Sequence, residues 1–214
     1  MDLFWKGVIM KKIVIASNNS AKTREIQQVF AEFGVQVINY RSIMSEKTFP
    51  EETTDDQYEN ALAKARFIKQ FLPKEWILSD DTGAYFAAFP ARFGLTIARE
   101  FKSLGLKSIQ EEDEYLLGLY ASEMDRSAYL EALFVLLTPD DQVKRAVGRG
   151  GTKLALAERG QFSVGFDTLF EAENGQTFAE MPIDVRVSYS HRGRAAKKLL
   201  AQLKPSELSS LVHK

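Results

Sequence analysis

The stretch from Lys12 to Ser17 constrains this chain most: Ile13-Val14-Ile15-Ala16 is a short, β-branched, uninterrupted apolar run that ends abruptly in the polar cluster Asn18-Asn19-Ser20. Such a run carries no polar face, so it reads as a buried strand of the parallel type. From Ala21 to Phe33 the spacing becomes helical, with Ile26, Val29, Phe30 and Phe33 along one face and Gly34 as the stop. A strand, a polar turn and a helix in that order point to an α/β chain.

The same grammar continues. Val35 to Tyr40 reads as a second strand and the acidic stretch Glu46 to Asp56 as a loop. Gln57 to Phe71 reads as a helix facing inward through Tyr58, Leu62, Ala65 and Ile68, ended by Pro73. Trp76-Ile77-Leu78-Ser79 is a short strand that delivers Asp80-Asp81 at its carboxyl end, where open α/β sheets place ligands. A helix follows over Ile109 to Ser122. Tyr129 to Leu137, Gln142 to Val147 and Lys153 to Ala157 then suggest an antiparallel meander with turns at Thr138–Asp141 and Gly148–Gly151. A loop from Gln161 to Ser190 leads into a helix over Arg192 to Leu203, and Pro205 to Lys214 is a weakly patterned tail. No repeat, low-complexity tract or linker divides the chain, so the expectation is one domain over 1–214, with two closely packed lobes around a cleft.

Charge excludes several function classes. The 28 basic and 29 acidic side chains cancel, which gives no bulk field for nucleic acid or a membrane surface, so any phosphate recognition must be local. There is no cysteine, and the only imidazoles are His191 and His213, so any metal would be held by oxygen. The opening Met1 to Met10 is apolar but short and lacks a signal-like cleavage site, which makes the cytoplasm the expected location and Met10 a second candidate start.

Four clusters can carry chemistry. In the first, Ser17 to Glu25, a strand hands over to a helix whose first amides are unpaired, and Lys22 and Arg24 place positive charge in a first turn that prefers acids, a placement that suits a bound phosphate. A plain cap by Ser20 with solvated basic residues fits the same letters. No P-loop pattern occurs. In the second, Glu51-Glu52, Glu59 and Asp80-Asp81 could supply carboxylates to a hard cation if the fold converges them, although acidic loops are commonly just solvated. Adjacent residues on a strand point to opposite faces, so only one of Asp80 and Asp81 readily meets a given cleft. The third, Ser190-His191-Arg192-Gly193-Arg194 with Lys197 and Lys198, suits an anion or base-edge reader or simply a capped basic helix. In the fourth, Val164-Gly165-Phe166-Asp167, Phe166 could stack on a base while Asp167 accepts hydrogen bonds, or the ring could anchor the core.

In combination and in this order, the segments from Lys12 to Leu203 resemble the inosine-triphosphate pyrophosphatase family. The carriers are Ala16, Ser17, Asn19, Lys22 and Glu25, then Pro50-Glu51-Glu52-Thr53, then Glu59-Asn60-Ala61-Leu62-Ala63-Lys64-Ala65. Asp80-Asp81-Thr82-Gly83 follows, then Gly94, Ala98 and Arg99, then Gly165, Phe166 and Asp167, then Thr177 to Met181 and Ser190 to Gly193. The resemblance implies a mixed α/β fold around a nucleotide cleft, commonly as a homodimer. It also implies Mg2+-dependent hydrolysis of ITP, dITP or XTP to a monophosphate and pyrophosphate. By the same likeness Glu52 and Asp81 hold the metal and Asp81 activates water, while Ser17, Asn19 and Lys22 bind the triphosphate and Thr82 and Arg99 are further substrate contacts. Gly165, Phe166, Asp167, His191 and Arg192 are then the base-recognising residues, and Arg186, a further substrate contact, falls where the family usually carries a lysine. The chain departs from the pattern at Phe93, Arg149, Val164, Phe166, Thr168, Arg186 and Val187. Two other readings remain open on sequence: a Maf-like pyrophosphatase acting on pyrimidine or modified nucleotides, and a non-catalytic nucleotide binder.

Overall fold

The computed structural model describes residues 12–51, 54, 56–122 and 125–212. The Met10 alternative start and the expected metal ligand Glu52 lie outside the described residues. β1 (Ile13–Ile15) runs parallel to β2 (Val37–Asn39) on one side and to β3 (Trp76–Phe86) on the other. β4 (Ala128–Leu137) and β5 (Val143–Gly150) extend the sheet antiparallel, giving the order β2-β1-β3-β4-β5. Parallel neighbours need crossovers, and the helices α1 (Ser20–Ala31) and α2 (Gln57–Lys69) supply them. The mixed α/β fold expected from the sequence is thus the fold observed.

Both faces of the sheet are covered, which is why Ile13, Val14 and Ile15 are all fully buried. Trp76 and Leu78 face the side packed by α1 and by α7 (His191–Leu200), while Ile77 faces the side packed by α2. A third core lies farther along β3 and β4, where Ala84, Phe86 and Leu130 meet α3 (Ile97–Ser103), α4 (Ile109–Leu119) and a two-stranded sheet of β6 (Lys153–Leu154) and β7 (Phe170–Glu171). Among the described residues no helix is long and apolar enough to cross a membrane.

Five local expectations are corrected. β3 does not stop at Ser79: it pairs with β4 through to Phe86, so Asp80 and Asp81 lie mid-strand. The glycines expected to form a turn at 148–151 belong largely to β5. A Cβ on Gly148 would stand 2.2 Å from the His191 carbonyl oxygen, and one on Gly150 would stand 2.5 Å from the His191 nitrogen. Their missing side chains therefore seat the first turn of α7 against the sheet. The third meander strand leaves the main sheet, since β6 pairs with β7. The tail forms α8 (Pro205–Leu211), opened by Pro205 and capped where Glu207 accepts from the Lys204 amide at 2.7 Å, with Leu211 fully buried in the first core. The region expected as a loop from Gln161 to Ser190 also holds two one-turn helices, α5 (Phe166–Leu169) and α6 (Ile183–Arg186).

The third core holds one unusual acid. Asp113 on α4 is 1% exposed, and one of its carboxylate oxygens has no hydrogen-bond partner among the described residues. Burial, and then the charges of Glu158 and Glu112, push it up to about 7. A raised carboxylate destabilises the fold progressively as pH climbs above its ordinary value near 4, and the cost is complete once pH passes the folded value. Asp113→Asn should therefore stabilise the protein on the order of 2 kcal/mol at pH 8, an allowance for solvent screening included, and far less at pH 4. Thermal unfolding of both proteins at the two pH values checks this; an equal shift at both removes the ionisation argument.

Candidate active site

β1 ends while β3 continues. β3 is paired with β1 only as far as Leu78, the last contact being the Ala16 amide donating to the Leu78 carbonyl at 2.7 Å. Farther along, Ala84 and Gly94 exchange backbone hydrogen bonds at 3.1 and 2.8 Å. Between these two closures the segment Ser79 to Gly83 has no strand partner on that edge among the described residues. The polar turn after β1 and the first turn of α1 stand beside the gap. Asn19 caps α1 by accepting from the Lys22 amide at 2.9 Å, and Asn39 fixes the turn from β2 by donating to the Ser17 carbonyl at 2.9 Å.

On the α1/α7 side of the gap the charges interlock. Lys22 Nζ lies 3.3 Å from Asp80 Oδ1, and Thr82 donates to Asp80 Oδ2 at 2.8 Å. Arg192 reaches three groups: Glu25 Oε2 at 2.5 Å through Nη1, Asp80 Oδ2 at 3.4 Å through Nε, and Thr82 Oγ1 at 3.2 Å through Nη2. One guanidinium thus ties α1, β3 and α7 together, a task that suits its fork of donors. Burial works against ionisation of Asp80, but the charges of Lys22 and Arg192 hold it well below the ordinary carboxylate range. Burial likewise opposes ionisation of Glu25, and Arg192 outweighs it.

A cavity of about 280 Å³ opens next to this network, lined by Asn19, Lys22, Glu25, Thr82, Val164, Phe166, Asp167, His191 and Arg192. His191 is 1% exposed, yet neither ring nitrogen has a hydrogen-bond partner among the described residues. Burial, with the Arg192 charge adding to it, pushes the imidazole down to about 3, so at neutral pH it is uncharged and offers one donor and one acceptor. An unpaired polar ring in such a position is costly unless a ligand completes it. Asp167 is pushed up to about 6 by burial and then by the Glu25 charge, and Arg186 Nη1 lies 3.6 Å from its carboxylate. Phe166 both lines the cavity and packs edge-on against Phe101, with ring centres 6.1 Å apart.

Asp81 lies elsewhere. Strand alternation turns it to the α2 side, where Lys64 Nζ stands 3.6 Å from Oδ1 and Gln57 donates to its backbone carbonyl at 3.0 Å. The open edge of β3 therefore separates a base-sized cavity of mixed charge on one side from a nearly buried carboxylate on the other. Among the described residues no three acidic or imidazole side chains cluster as a metal cage. A lone carboxylate beside an open strand edge still fits Mg2+, which keeps several waters and takes substrate phosphate oxygens as ligands. Ser17 accepts from the Asn19 amide at 3.2 Å inside the turn, Gly165 precedes α5 with a positive φ of 65°, and Arg99 sits on α3 away from the cavity lining.

Glu25 and Lys64 belong to this arrangement although neither was expected as a site residue, and Asp80, read with Asp81 as a possible cation ligand, instead faces Lys22 and Arg192. Their signal was faint: Glu25 follows Lys22 by three positions on a helix, which puts both on one face, and Asp80 shares its strand face with Thr82. Lys64 became legible only once α2 lay across β3.

Residues 13–202 match the Ham1 family. The chain belongs to that family. The resemblance read from the ordered motifs therefore holds, and a Maf-like assignment is not favoured. A Limosilactobacillus reuteri protein named dihydroneopterin triphosphate diphosphatase is 36% identical, covering 89% of this chain and 96% of that protein. A dITP/XTP pyrophosphatase of Paracidovorax citrulli is 34% identical, covering 90% and 98%. Among solved structures, the Staphylococcus aureus Ham1 protein superposes with a TM-score of 0.72 at 28% identity, covering 89% of this Ham1-family chain and 97% of the other.

Proposed function

We infer that this Ham1-family protein hydrolyses ITP, dITP or XTP to the nucleoside monophosphate and pyrophosphate. The observation that carries the reading is the pairing of a cavity holding unpartnered, neutral His191 beside Lys22 with Asp81 across the open edge of β3. The relatives named dITP/XTP pyrophosphatase support the substrate class.

In this reading Ser17, Asn19 and Lys22 bind the triphosphate at the amino end of α1, with Thr82 and Arg99 assisting. Asp81 takes the proton from a water whose oxygen bonds to the α-phosphorus, and the bond from that phosphorus to the bridging oxygen breaks, releasing pyrophosphate. Mg2+, held by Asp81 and Glu52, supplies neutralisation of the developing phosphate charge when bound. Positioning and electrostatics then carry most of the rate. His191 donates to a 6-oxo group, with Arg192 beside it in the cavity lining and Arg186 held against Asp167, while Gly165, Phe166 and Asp167 close the base side. Arg192 spends much of its donor fork on Glu25, Asp80 and Thr82, so His191 is the freer reader. A 6-amino group in the same place would meet a donor with a donor, which is costly in a buried site.

A second reading takes a pterin triphosphate as substrate. The relative at 36% identity bears that activity in its name, and Val164 stands exposed at the cavity mouth, where a wider bicyclic ring projects farther than a purine. The homodimer rests on the family resemblance, and light scattering of the purified protein checks it. The function itself is tested by pyrophosphate release from ITP, dITP, XTP, dihydroneopterin triphosphate, ATP and GTP, each with Mg2+ and with EDTA. Release from an oxo-purine triphosphate that stops with EDTA is expected. Preference for the pterin substrate selects the second reading, and no release from any sinks both.

A further inference from the structure

Strand alternation places Asp81, Gly83 and Tyr85 on one face of β3, residues two apart standing roughly 6.8 Å from each other. The Tyr85 side chain does not point away from Asp81. It leans back over Gly83, so that a Cβ there would stand 2.9 Å from the ring edge and 3.0 Å from the phenolic oxygen. The hydroxyl thus hangs one strand step from Asp81, in the space that a side chain at position 83 would fill.

The ring is fixed in that pose. Tyr129 on β4 stacks on it with ring centres 4.9 Å apart and planes 14° from parallel, and the Arg149 guanidinium covers Tyr129 at 4.8 Å. Glu131 holds Arg149 in turn at 2.5 Å. Such support is more than a surface ring needs, and it is what a preorganised donor requires. Tyr85 is not a core residue either: it is half-buried and lines two surface cavities of about 350 and 360 Å³. Among the described residues its hydroxyl makes no hydrogen bond to the protein. Burial, then the charges of Glu131 and, farther down, Asp81, raise it above the ordinary tyrosine range, so it keeps its proton at neutral pH.

We propose that Tyr85 is a further residue of the reaction centre, its hydroxyl donating a hydrogen bond that orients the water deprotonated by Asp81. The proposal rests on the hydrolase reading above. Tyr85 gives up no proton in the step; its contribution is direction.

The test compares wild type, Tyr85→Phe and Tyr129→Phe in Mg2+-dependent pyrophosphate release, in affinity for a non-hydrolysable α,β-methylene triphosphate, and in thermal unfolding. Tyr85→Phe keeps the ring and its stacking, so unfolding and analogue affinity should match wild type while kcat falls about tenfold with KM unchanged, the scale of one net hydrogen bond. Tyr129→Phe should behave as wild type. Wild-type kcat in Tyr85→Phe overturns the proposal and leaves the hydrolase reading standing. A joint fall in kcat, affinity and unfolding temperature overturns it in favour of a structural role. Wild-type protein inactive on every triphosphate removes the hydrolase reading and this proposal with it.

Discussion

Asp81→Asn should lower pyrophosphate release by about a hundred- to ten-thousand-fold, the range expected when a general base is lost, while leaving the fold intact. The amide is nearly isosteric, but it carries no charge to accept the proton or to hold a hard cation. The ion pair with Lys64 at 3.6 Å is lost, but the asparagine amide oxygen can still accept a hydrogen bond from that ammonium, which limits the structural penalty. Adjacent Asp80 provides the contrast. It sits in the Lys22–Arg192 network, so Asp80→Asn should weaken folding as well as turnover. Measuring kcat and unfolding temperature for both variants separates the roles of two neighbours that the sequence presents as a pair. An Asp81→Asn protein that keeps wild-type kcat would falsify the assignment of the base.

Arg192→Met should destabilise the protein by roughly 3 to 5 kcal/mol, the scale for breaking a buried ion pair from one side. Arg192 is 7% exposed and faces Glu25, Asp80 and Thr82 at once. Asp80 keeps Lys22 in the variant, but Glu25 loses the only ion pair recorded for it among the described residues. Its carboxylate would then rise above its ordinary range, so the loss of stability should be largest at neutral pH and shrink as pH falls and Glu25 takes a proton. Denaturant unfolding at pH 7.5 and pH 4.5 reads this directly. The double variant Arg192→Met/Glu25→Gln should recover much of the loss, because two neutral groups replace one stranded charge. A loss below about 1 kcal/mol for the single variant would mean that the three elements are held together by packing alone.

The course of the elements was legible where local chemistry decides it. The β-branched run at Ile13–Ile15, the polar stop at Asn18–Ser20, the helical spacing through Phe33 and the break at Pro73 each act within a few residues, so reading them in order gave the parallel half of the sheet. The ordered short motifs gave the family, because agreement in spacing among several weak signals is far more specific than any one of them. What stayed hidden depended on partners distant in sequence. β3 continues past Ser79 because β4 pairs with it, and nothing in Asp80-Asp81-Thr82-Gly83 announces that partner. Gly148 and Gly150 look like turn formers until α7 is laid against them at backbone distance.

The site divides in the same way. The residue types that bind phosphate and a hard cation are written in the chain: a capped helix start with Lys22, carboxylates without cysteine, and a single well-placed imidazole at His191. Tertiary structure alone decided which aspartate meets which surroundings. β1 stops three residues into its pairing with β3, opening an edge, and alternation then sends Asp80 to the guanidinium and Asp81 to the opposite face. The sequence determined the chemical groups through local periodicity and motif spacing. Only the folded chain set their protonation and their company, since burial and neighbouring charge are properties of packing and not of order along the chain.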